Sequence, residues 1–411
     1  MTPATLFYII IGILVLDFVI DQCIDYLNAR HFNDAIPGIL RDIYSDEKYL
    51  ESQAYKKANY NFSRLSAAFS LLLTLAFFFL DGFAYVDRIA RSITDNEIGI
   101  ALLFFGIIFL ASDILTTPFA YYHTFVIEEK FGFNKTSVKT FLLDKLKGWL
   151  IGGLLGGGIL ALIIWFYNIA GPDFWIYAWI AVAVFTVFTN MFYSKLIVPV
   201  FNKQTPLEEG ELRSAIEKYA AVAGFTLDNI FVIDGSKRST KANAYFSGFG
   251  SQKRITLYDT LINDLETDEI VAVLAHEVGH YKKKHILFNM GTSLFLTGIT
   301  LYILSLCIQI PELSYALGVP ERSFHIGLIT FGILYSPISE LTGFIMNYCS
   351  RVFEYQADDY ARESFGAEPL ISALKKLSAG NLSNLTPHPA YVKMHYSHPT
   401  LLQRIQNLRK G

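Results

Sequence analysis

The chain alternates long apolar runs with shorter polar stretches, and the runs have the length of a lipid bilayer. Seven of them, about residues 5–24, 63–86, 98–121, 148–171, 174–200, 286–310 and 324–347, are long and apolar enough to cross as helices. The first has no basic leader and no small-residue cleavage site, and Asp17 interrupts it, so it reads as a retained span and not as a signal peptide. The gaps between runs differ in pattern. Around Ile43 to Lys57 the period is helical, with no chemistry evident. Glu128-Glu-Lys-Phe-Gly-Phe-Asn-Lys135 reads as a solvated turn opening a helix through Thr136 or Ser137. After the fifth run, Val198-Pro-Val-Phe-Asn-Lys-Gln-Thr-Pro-Leu-Glu208 marks the change to globular sequence. Thr205 is placed to cap, Pro206 suits a first helical position and Glu208 completes a capping box, with the helix running to about Gly224.

Beyond Gly224 the period shortens to that of strands. Ile230 to Ile233, Ala242 to Ser247 and Arg254 to Tyr258 read as three short strands, separated by Gly235-Ser-Lys-Arg and Gly248-Phe-Gly-Ser. A small sheet of this kind can lend an edge to an extended peptide. A helix follows, with Thr267 as its expected N-cap, Asp268 and Glu269 in the first turn, and Ile270, Val271, Val273 and Leu274 in a mostly apolar body.

Composition turns these elements into a class. The chain has 411 residues and is 52% hydrophobic, with a mean hydropathy of +0.35. It is too apolar for two soluble domains and reads as a polytopic, mainly α-helical membrane protein. The organisation expected is a membrane part over 1–200, a polar segment over 201–285, two further spans within 286–347 and a C-terminal segment over 348–411. The formal net charge of −3 implies no nucleic-acid partner. Basic residues inform by position. One set of loops holds Arg30, Arg41, Lys48, Lys56, Lys57, Lys130, Lys135, Lys139, Lys145, Lys147 and Lys282 to Lys284, whereas the opposite loops hold Arg88, Arg91 and Arg322. The positive-inside rule therefore puts the large loops and the C-terminus in the cytosol. Asp17, Asp81, Asp113 and Glu340, in or at the ends of runs, point to a water-accessible interior, and Gly152, Gly153, Gly156, Gly157 and Gly158 to a close helix-packing face. Cys23, Cys307 and Cys349 are scattered and suggest neither a disulfide framework nor a thiolate metal site.

The chemistry concentrates in Val273-Leu-Ala-His-Glu-Val-Gly-His280. On a helix, His276 and His280 point to one face and can share a Zn²⁺, one per chain, with Glu277 beside it. Two histidines do not close such a site. The best third ligand is Glu354 in Asn347-Tyr-Cys-Ser-Arg-Val-Phe-Glu-Tyr-Gln-Ala-Asp358, where Asp358, four residues on, can accept the free ring N–H of a ligating histidine. Two spans separate His280 from Glu354, so both fall on one side of the membrane. His285 is five residues past His280 and off the metal face, while His31, His123, His325 and His388 stand in no motif. Ser397-His-Pro-Thr-Leu-Leu-Gln-Arg404 puts His398 and Arg404 into a short helix, where they can stabilise an oxyanion or anchor a substrate carboxylate.

Taken together and in order, Glu-Lys-Phe-Gly-Phe-Asn-Lys135, Phe201-Asn-Lys-Gln-Thr-Pro-Leu-Glu208, Asn243-Ala-Tyr245, His276-Glu-Val-Gly-His280, Glu354-Tyr-Gln-Ala-Asp358 and Ser397-His-Pro399 with Arg404 resemble the type I CaaX prenyl proteases, which are integral-membrane zinc metallopeptidases. The resemblance covers nearly the whole chain. It implies seven helices around a water-filled chamber, closed at the cytosolic end by a zincin-like metalloprotease domain, and removal of the C-terminal tripeptide from prenylated substrates. By the same resemblance zinc falls to His276, His280 and Glu354, the general base to Glu277 and support to Asp358. Substrate-strand contacts fall to Asn243, and transition-state or substrate contacts to His398 and Arg404. The short segment between runs six and seven fits a prokaryotic-type member. The membrane is then the cell membrane in a prokaryote, or an endoplasmic-reticulum-type membrane in a eukaryote. The partners expected are a peptide or protein substrate, prenylated where the family's chemistry applies, and membrane lipid. Quality control of membrane proteins is the alternative substrate class, and a seven-span transporter or receptor with an incidental metal site is the rival class.

Overall fold

The computed structural model of the chain describes residues 1–224, 230–247 and 254–410. Helix α1, Pro3–Ala29, starts where the Thr2 hydroxyl accepts the Thr5 N–H and Pro3 sets the first turn. Helix α2, Asp46–Phe79, is capped by Ser45, and Asp46 and Glu47 complement its dipole. It absorbs both the polar helix expected around Ile43 to Lys57 and the start of the second run. That run does not reach residue 86 as one helix. The chain turns at Asp81, which adopts φ +54°, and restarts as α3, Gly82–Ile93. A Cβ at Gly82 would lie 2.4 Å from the Phe77 ring, so the turn needs glycine there.

Helix α4, Glu97–Tyr122, contains Pro118 and continues as a π-helical turn over His123–Glu128. Helix α5, Val138–Ile151, capped by Ser137, passes through a second π-helical turn, Gly152–Gly156, into α6, Gly157–Ala170. The expected packing role of the glycines does not hold. A Cβ at Gly152, Gly153, Gly156 or Gly158 would meet nothing within 4 Å, and only Gly157 has a neighbour, Leu102 at 3.6 Å. What these residues contribute is backbone freedom for the widened turn. At Gly171, φ +54°, the chain reverses into α7, Phe174–Leu196, and the rings of Phe166 and Tyr177, and of Tyr167 and Phe174, close the hairpin. A short α8, Val198–Phe201, ends this half of the chain.

Among the described residues, six helical stretches are long and apolar enough to cross a membrane, against the seven expected. The expected fourth and fifth runs fall within the single stretch Val138–Phe201. Between 6% and 22% of each stretch's most apolar window is buried inside the protein, so most of these side chains meet another apolar medium. The protein is a multi-pass integral membrane protein.

The polar half is built on a four-stranded sheet of β1, Gln204–Pro206, β2, Ile230–Ile233, β3, Ala244–Ser247, and β4, Arg254–Tyr258, in the order β1-β2-β4-β3. β2 and β4 are parallel, and both outer pairs are antiparallel. The capping pattern read at Thr205, Pro206 and Glu208 is overridden, because 204–206 pairs with β2 and Leu207 N donates to Ile230 O at 2.9 Å. Proline is tolerated there because β1 is an edge. Helix α9 is accordingly shorter, Glu211–Val222. The middle strand begins at Ala244 and not at Ala242, and the Gly248-Phe-Gly-Ser segment lies outside the described residues.

After α10, Asp259–Asp264, comes α11, Thr267–Lys282, followed by α12, His285–Cys307, and α13, Glu312–Tyr315. Helix α14, Phe324–Ser364, has 41 residues with Pro337 inside it. At 1.5 Å per residue it is about 60 Å long, enough to cross the apolar layer and carry Glu354 into the polar half. Helices α15, Ala367–Gly380, α16, Pro389–His395, and α17, Leu401–Leu408, complete the chain. Around the membrane half, α1 packs on α2, α2 meets the π turn that ends α4, α4 packs on α6, α6 on α7, α7 on α12, α12 on α14, and α14 on α1. One hydrophobic core in the polar half unites Leu257 and Leu261 with Ile270, Leu274 and Val278 of α11, Leu370 and Ile371 of α15, and Ile405 of α17.

The segment Glu128 to Lys135, read as a solvated turn, is instead a joint between the two halves. Lys241 Nζ lies 2.7 Å from Glu128 Oε2 and 2.9 Å from the Tyr55 hydroxyl, and Tyr55 also bonds Glu128. Lys135 N donates to Arg238 O, Thr240 N donates to Phe133 O, and Arg238 pairs with both oxygens of Asp144. Replacing Lys241 with Met leaves the 13%-exposed Glu128 carboxylate without its cation. We expect a lower melting temperature and faster amide exchange over Ala244–Ser247 than in the wild type, read by hydrogen-exchange mass spectrometry. Unchanged exchange there would mean that the joint does not hold β3.

Candidate metal centre

Helix α11 is fixed at its start by a carboxylate. Glu266 N donates to Glu269 Oε2 at 2.8 Å, and Glu269 also accepts Ser372 Oγ at 2.6 Å and Lys376 Nζ at 2.8 Å from α15. The helix therefore begins one residue earlier than the Thr267 cap expected, with Thr267 inside it. Its apolar face enters the core, and its opposite face lies against α14. At Gly279 the two helices touch: a Cβ there would stand 3.0 Å from Ala357 Cα and 3.1 Å from Ala357 O. That approach brings Glu354 over the histidines of α11.

Four acceptor atoms from three side chains converge. His276 Nε2 and His280 Nε2 are 3.2 Å apart, Glu354 Oε2 is 3.4 Å from His276 Nε2, and Glu354 Oε1 is 3.2 Å from His280 Nε2. His276 and Glu354 are buried. The outer partners fix which imidazole nitrogens carry protons. His276 Nδ1 lies 2.9 Å from Asp358 Oδ1, a carboxylate that can only accept, so Nδ1 donates and Nε2 offers its lone pair. On His280 the partner is another ring, since His280 Nδ1 and His285 Nδ1 are 3.0 Å apart and His285 Nε2 is 2.8 Å from Gln356 Oε1. The amide oxygen only accepts, so His285 carries its proton on Nε2, its Nδ1 accepts from His280, and His280 Nε2 is also bare.

Two lone pairs and a carboxylate facing one point are mutually repulsive without a cation. The demand for positive charge shows in His276 itself. Burial works against charging the ring, but the adjoining carboxylates of Asp358 and Glu354 outweigh burial and raise its pKa to about 9. Among the described residues, His276, His280 and Glu354 form the group of histidine and acidic side chains whose ligand atoms lie within 4.8 Å of one another.

His285 stays out of the ligand group, as its place five residues past His280 leads one to expect. But α11 ends at Lys282, and Lys284 at φ +60° turns the chain back. His285, 3% exposed and stacked on Phe353 at 4.2 Å, thus meets His280 from the side. No local spacing rule contains that turn, and Gln356 carries no motif of its own.

The remaining candidates divide. Glu277 is half-buried on α11, one residue after His276. His398 precedes α17 and is not part of it, since Thr400 caps that helix. Its side chain is exposed on one flank, with Nε2 3.3 Å from Glu354 Oε1. Desolvation of the inward flank lowers its pKa, with Glu354 acting the other way, which favours a neutral ring. Arg404 is not an open anchor. Its Nε and one terminal nitrogen bond Asp358 at 2.9 and 2.6 Å, and its side chain is half-buried, so a substrate carboxylate would have to displace that pair. Asn243 lies outside the group. It is exposed and just before β3, its carbonyl accepts Tyr258 N at 3.1 Å, and its Oδ1 accepts Ala244 N at 2.8 Å. The outer side of β3 carries no strand among the described residues.

The backbone approach at Gly279 gives a direct test of the geometry. Gly279→Ala forces α11 and α14 apart by a few tenths of an ångström and costs about 1–3 kcal/mol of stability. The expected result is a lower melting temperature with weakened metal retention. A variant as stable and as metal-replete as the wild type would show that the two helices are not held by this contact.

Comparison with known proteins agrees in extent as well as in motif. Residues 25–203 match the family model for the CAAX prenyl protease N-terminal region with five membrane helices, and residues 206–411 match peptidase family M48. The chain is 35% identical to CAAX prenyl protease 1 of Saccharomyces cerevisiae over 97% of its own length and 94% of that protein. It is 32% identical to the CAAX prenyl protease 1 homolog of Homo sapiens, covering 91% and 88% of the two chains. Its structure is similar to the crystal structure of S. mikatae Ste24p, with a TM-score of 0.92, 36% identity and 98% of each chain covered.

Proposed function

Because the chain belongs to the CAAX prenyl protease family of M48 metallopeptidases, we propose that this membrane metalloprotease holds one Zn²⁺ on His276, His280 and Glu354 and removes the C-terminal tripeptide of prenylated CAAX-type proteins. The observation that carries the reading is the convergence of the three side chains, with His280 Nε2 3.2 Å from both His276 Nε2 and Glu354 Oε1, and the other carboxylate oxygen, Oε2, 3.4 Å from His276 Nε2. Tetrahedral ligands at about 2.0–2.1 Å from zinc stand about 3.3 Å apart, and hard alkaline-earth ions prefer all-oxygen sets. Glu354 Oε2 supports it as well, being buried with no partner nearer than His276 Nε2 at 3.4 Å and Arg404 at 3.5 Å. Seven crossings are also part of the proposal, since the turn at Gly171 folds the stretch Val138–Phe201 on itself. The excess of basic residues supports a metal centre on the cytosolic face, and the reading takes 201–285 and 348–411 as the catalytic unit.

When bound, the ion supplies Lewis-acid polarisation of the scissile carbonyl and acidifies a water. The chain's residues do the rest. Glu277 takes the proton of the attacking water on its carboxylate and returns it to the leaving amine. His398, neutral and open on one flank, donates to the oxygen that gains charge. Asp358 holds His276 in the tautomer that presents Nε2, and Arg404 holds Asp358 by two hydrogen bonds. The free edge of β3, led by Asn243, accepts the substrate as an added extended strand.

Glu277→Gln should cut cleavage of a farnesylated CAAX peptide by about 10²–10⁴-fold with zinc content unchanged. Glu354→Gln should lose most of the zinc. Mass spectrometry of products and elemental analysis of purified protein check both. Persistent cleavage by Glu277→Gln, or full zinc content in Glu354→Gln, would remove that residue from its role.

A further inference from the structure

Where α1 and α2 leave their apolar stretches, a cavity of about 360 Å³ opens between them and the segment 381–396. Its lining includes Lys56 and Ser63 of α2, Asp25 of α1, Asn381, Tyr391 and Tyr396. Lys56 is only 8% exposed, and its ammonium has no hydrogen-bond partner among the described residues. Three residues earlier on the same face, Gln53 is 7% exposed with both amide atoms unpartnered. A lysine with a flexible stem normally carries its charge to water, and an unpaired buried ammonium is costly.

This is a built cavity and not a packing fault. The Tyr44 hydroxyl donates to Ser378 O and Ser383 O at 2.9 and 3.2 Å, and Ser52 Oγ donates to Leu382 O at 3.3 Å. Asn28 Oδ1 accepts His388 N at 3.0 Å. Leu382, 2% exposed, is held at φ +49°, a left-handed conformation a leucine adopts only when its surroundings impose it. The walls are therefore fixed around an ammonium that has no hydrogen bond among the described residues and whose near partner is the Tyr49 ring, 6.0 Å away.

We propose that this cavity binds the phosphodiester of a membrane phospholipid, with Lys56 as its counter-charge. One ammonium is balanced by the single negative charge of a phosphodiester, and the Ser63 hydroxyl and Asn381 amide offer neutral donors beside it. The site lies at headgroup depth, because the apolar run of α1 ends near Ile24 and that of α2 begins near Ser63. Tyr391 and Tyr396 are the side chains that interfaces favour, and basic pockets between membrane helices take anionic headgroups. Asp25, on the α1 wall, interacts with His395 of α16, so the wall is not uniformly repulsive to an anion. No residue of the metal centre lines the cavity, which sets it apart from a substrate subsite. The segment it anchors leads directly to His398, so the bound headgroup also fixes the approach of that residue to Glu354.

The test uses the full-length protein purified in detergent. Retained phospholipid is quantified by mass spectrometry for wild type, Lys56→Arg and Lys56→Met. Melting temperatures are recorded alone, with phosphatidylglycerol and with inorganic phosphate, and zinc content reports folding. Wild type and Lys56→Arg should keep phospholipid through delipidation and be stabilised by phosphatidylglycerol. Lys56→Met should lose the retained lipid by roughly tenfold or more and show no stabilisation. Should Lys56→Met lose zinc, Lys56→Gln carries the comparison. Equal lipid retention in all variants overturns the proposal, as does stabilisation by inorganic phosphate with no retained lipid. A KM raised in Lys56→Met for a peptide ending in a free carboxylate but not for its amidated form, with lipid content unchanged, overturns it in favour of a substrate terminus.

Discussion

The close approach of α11 and α14 at Gly279 and Ala357 is the constraint on which the metal centre depends. Two nitrogens from one helix and two oxygens from another meet only if the backbones come this near, and any side chain at 279 would hold them apart. Everything around the cluster then acts to orient these donors. Asp358 and Arg404 act on His276 from one side, and His285 and Gln356 act on His280 from the other. The two chains of hydrogen bonds end in groups with no proton ambiguity, a guanidinium and an amide oxygen. Both imidazoles are thereby left in the same tautomer.

The same economy of position shapes the polar half. Its core is assembled from α11, the sheet, α15 and α17, elements far apart in the chain, and is joined to the membrane helices through Glu128, Tyr55, Lys241, Asp144 and Arg238. Glu128, Tyr55 and Asp144 come from the helical half and Lys241 and Arg238 from the segment between β2 and β3, so β3 is positioned from the membrane side as well as from the sheet.

The legible parts of the sequence were those governed by short periods. The spacing of His276 and His280, and of Glu354 and Asp358, follows from one helical turn, and an apolar run of twenty residues follows from the thickness of a bilayer. What escaped was decided by contacts distant in sequence. Thr205 and Pro206 carry a sound capping pattern, yet their backbone is drawn into pairing with β2. That His285 orients His280 depends on a helix that stops three residues before it. The glycines at 152 to 158 look like a packing stripe but sit in a widened turn, and the two readings share one composition. A run that breaks at Asp81 differs from an unbroken one by a backbone angle that several residues tolerate.

Helix α14 passes from the membrane to Glu354 without interruption, with Pro337 seventeen residues before the ligand. That proline deprives the helix of one internal hydrogen bond at a point within the apolar layer, and beyond it the helix is a stiff arm of about 25 Å. Bending the arm by roughly 5° at its base displaces the carboxylate by about 2 Å, which is as long as a metal–ligand bond. The position of Glu354 relative to His276 and His280 is therefore set by the straightness of α14 through the apolar layer as well as by the packing around its tip.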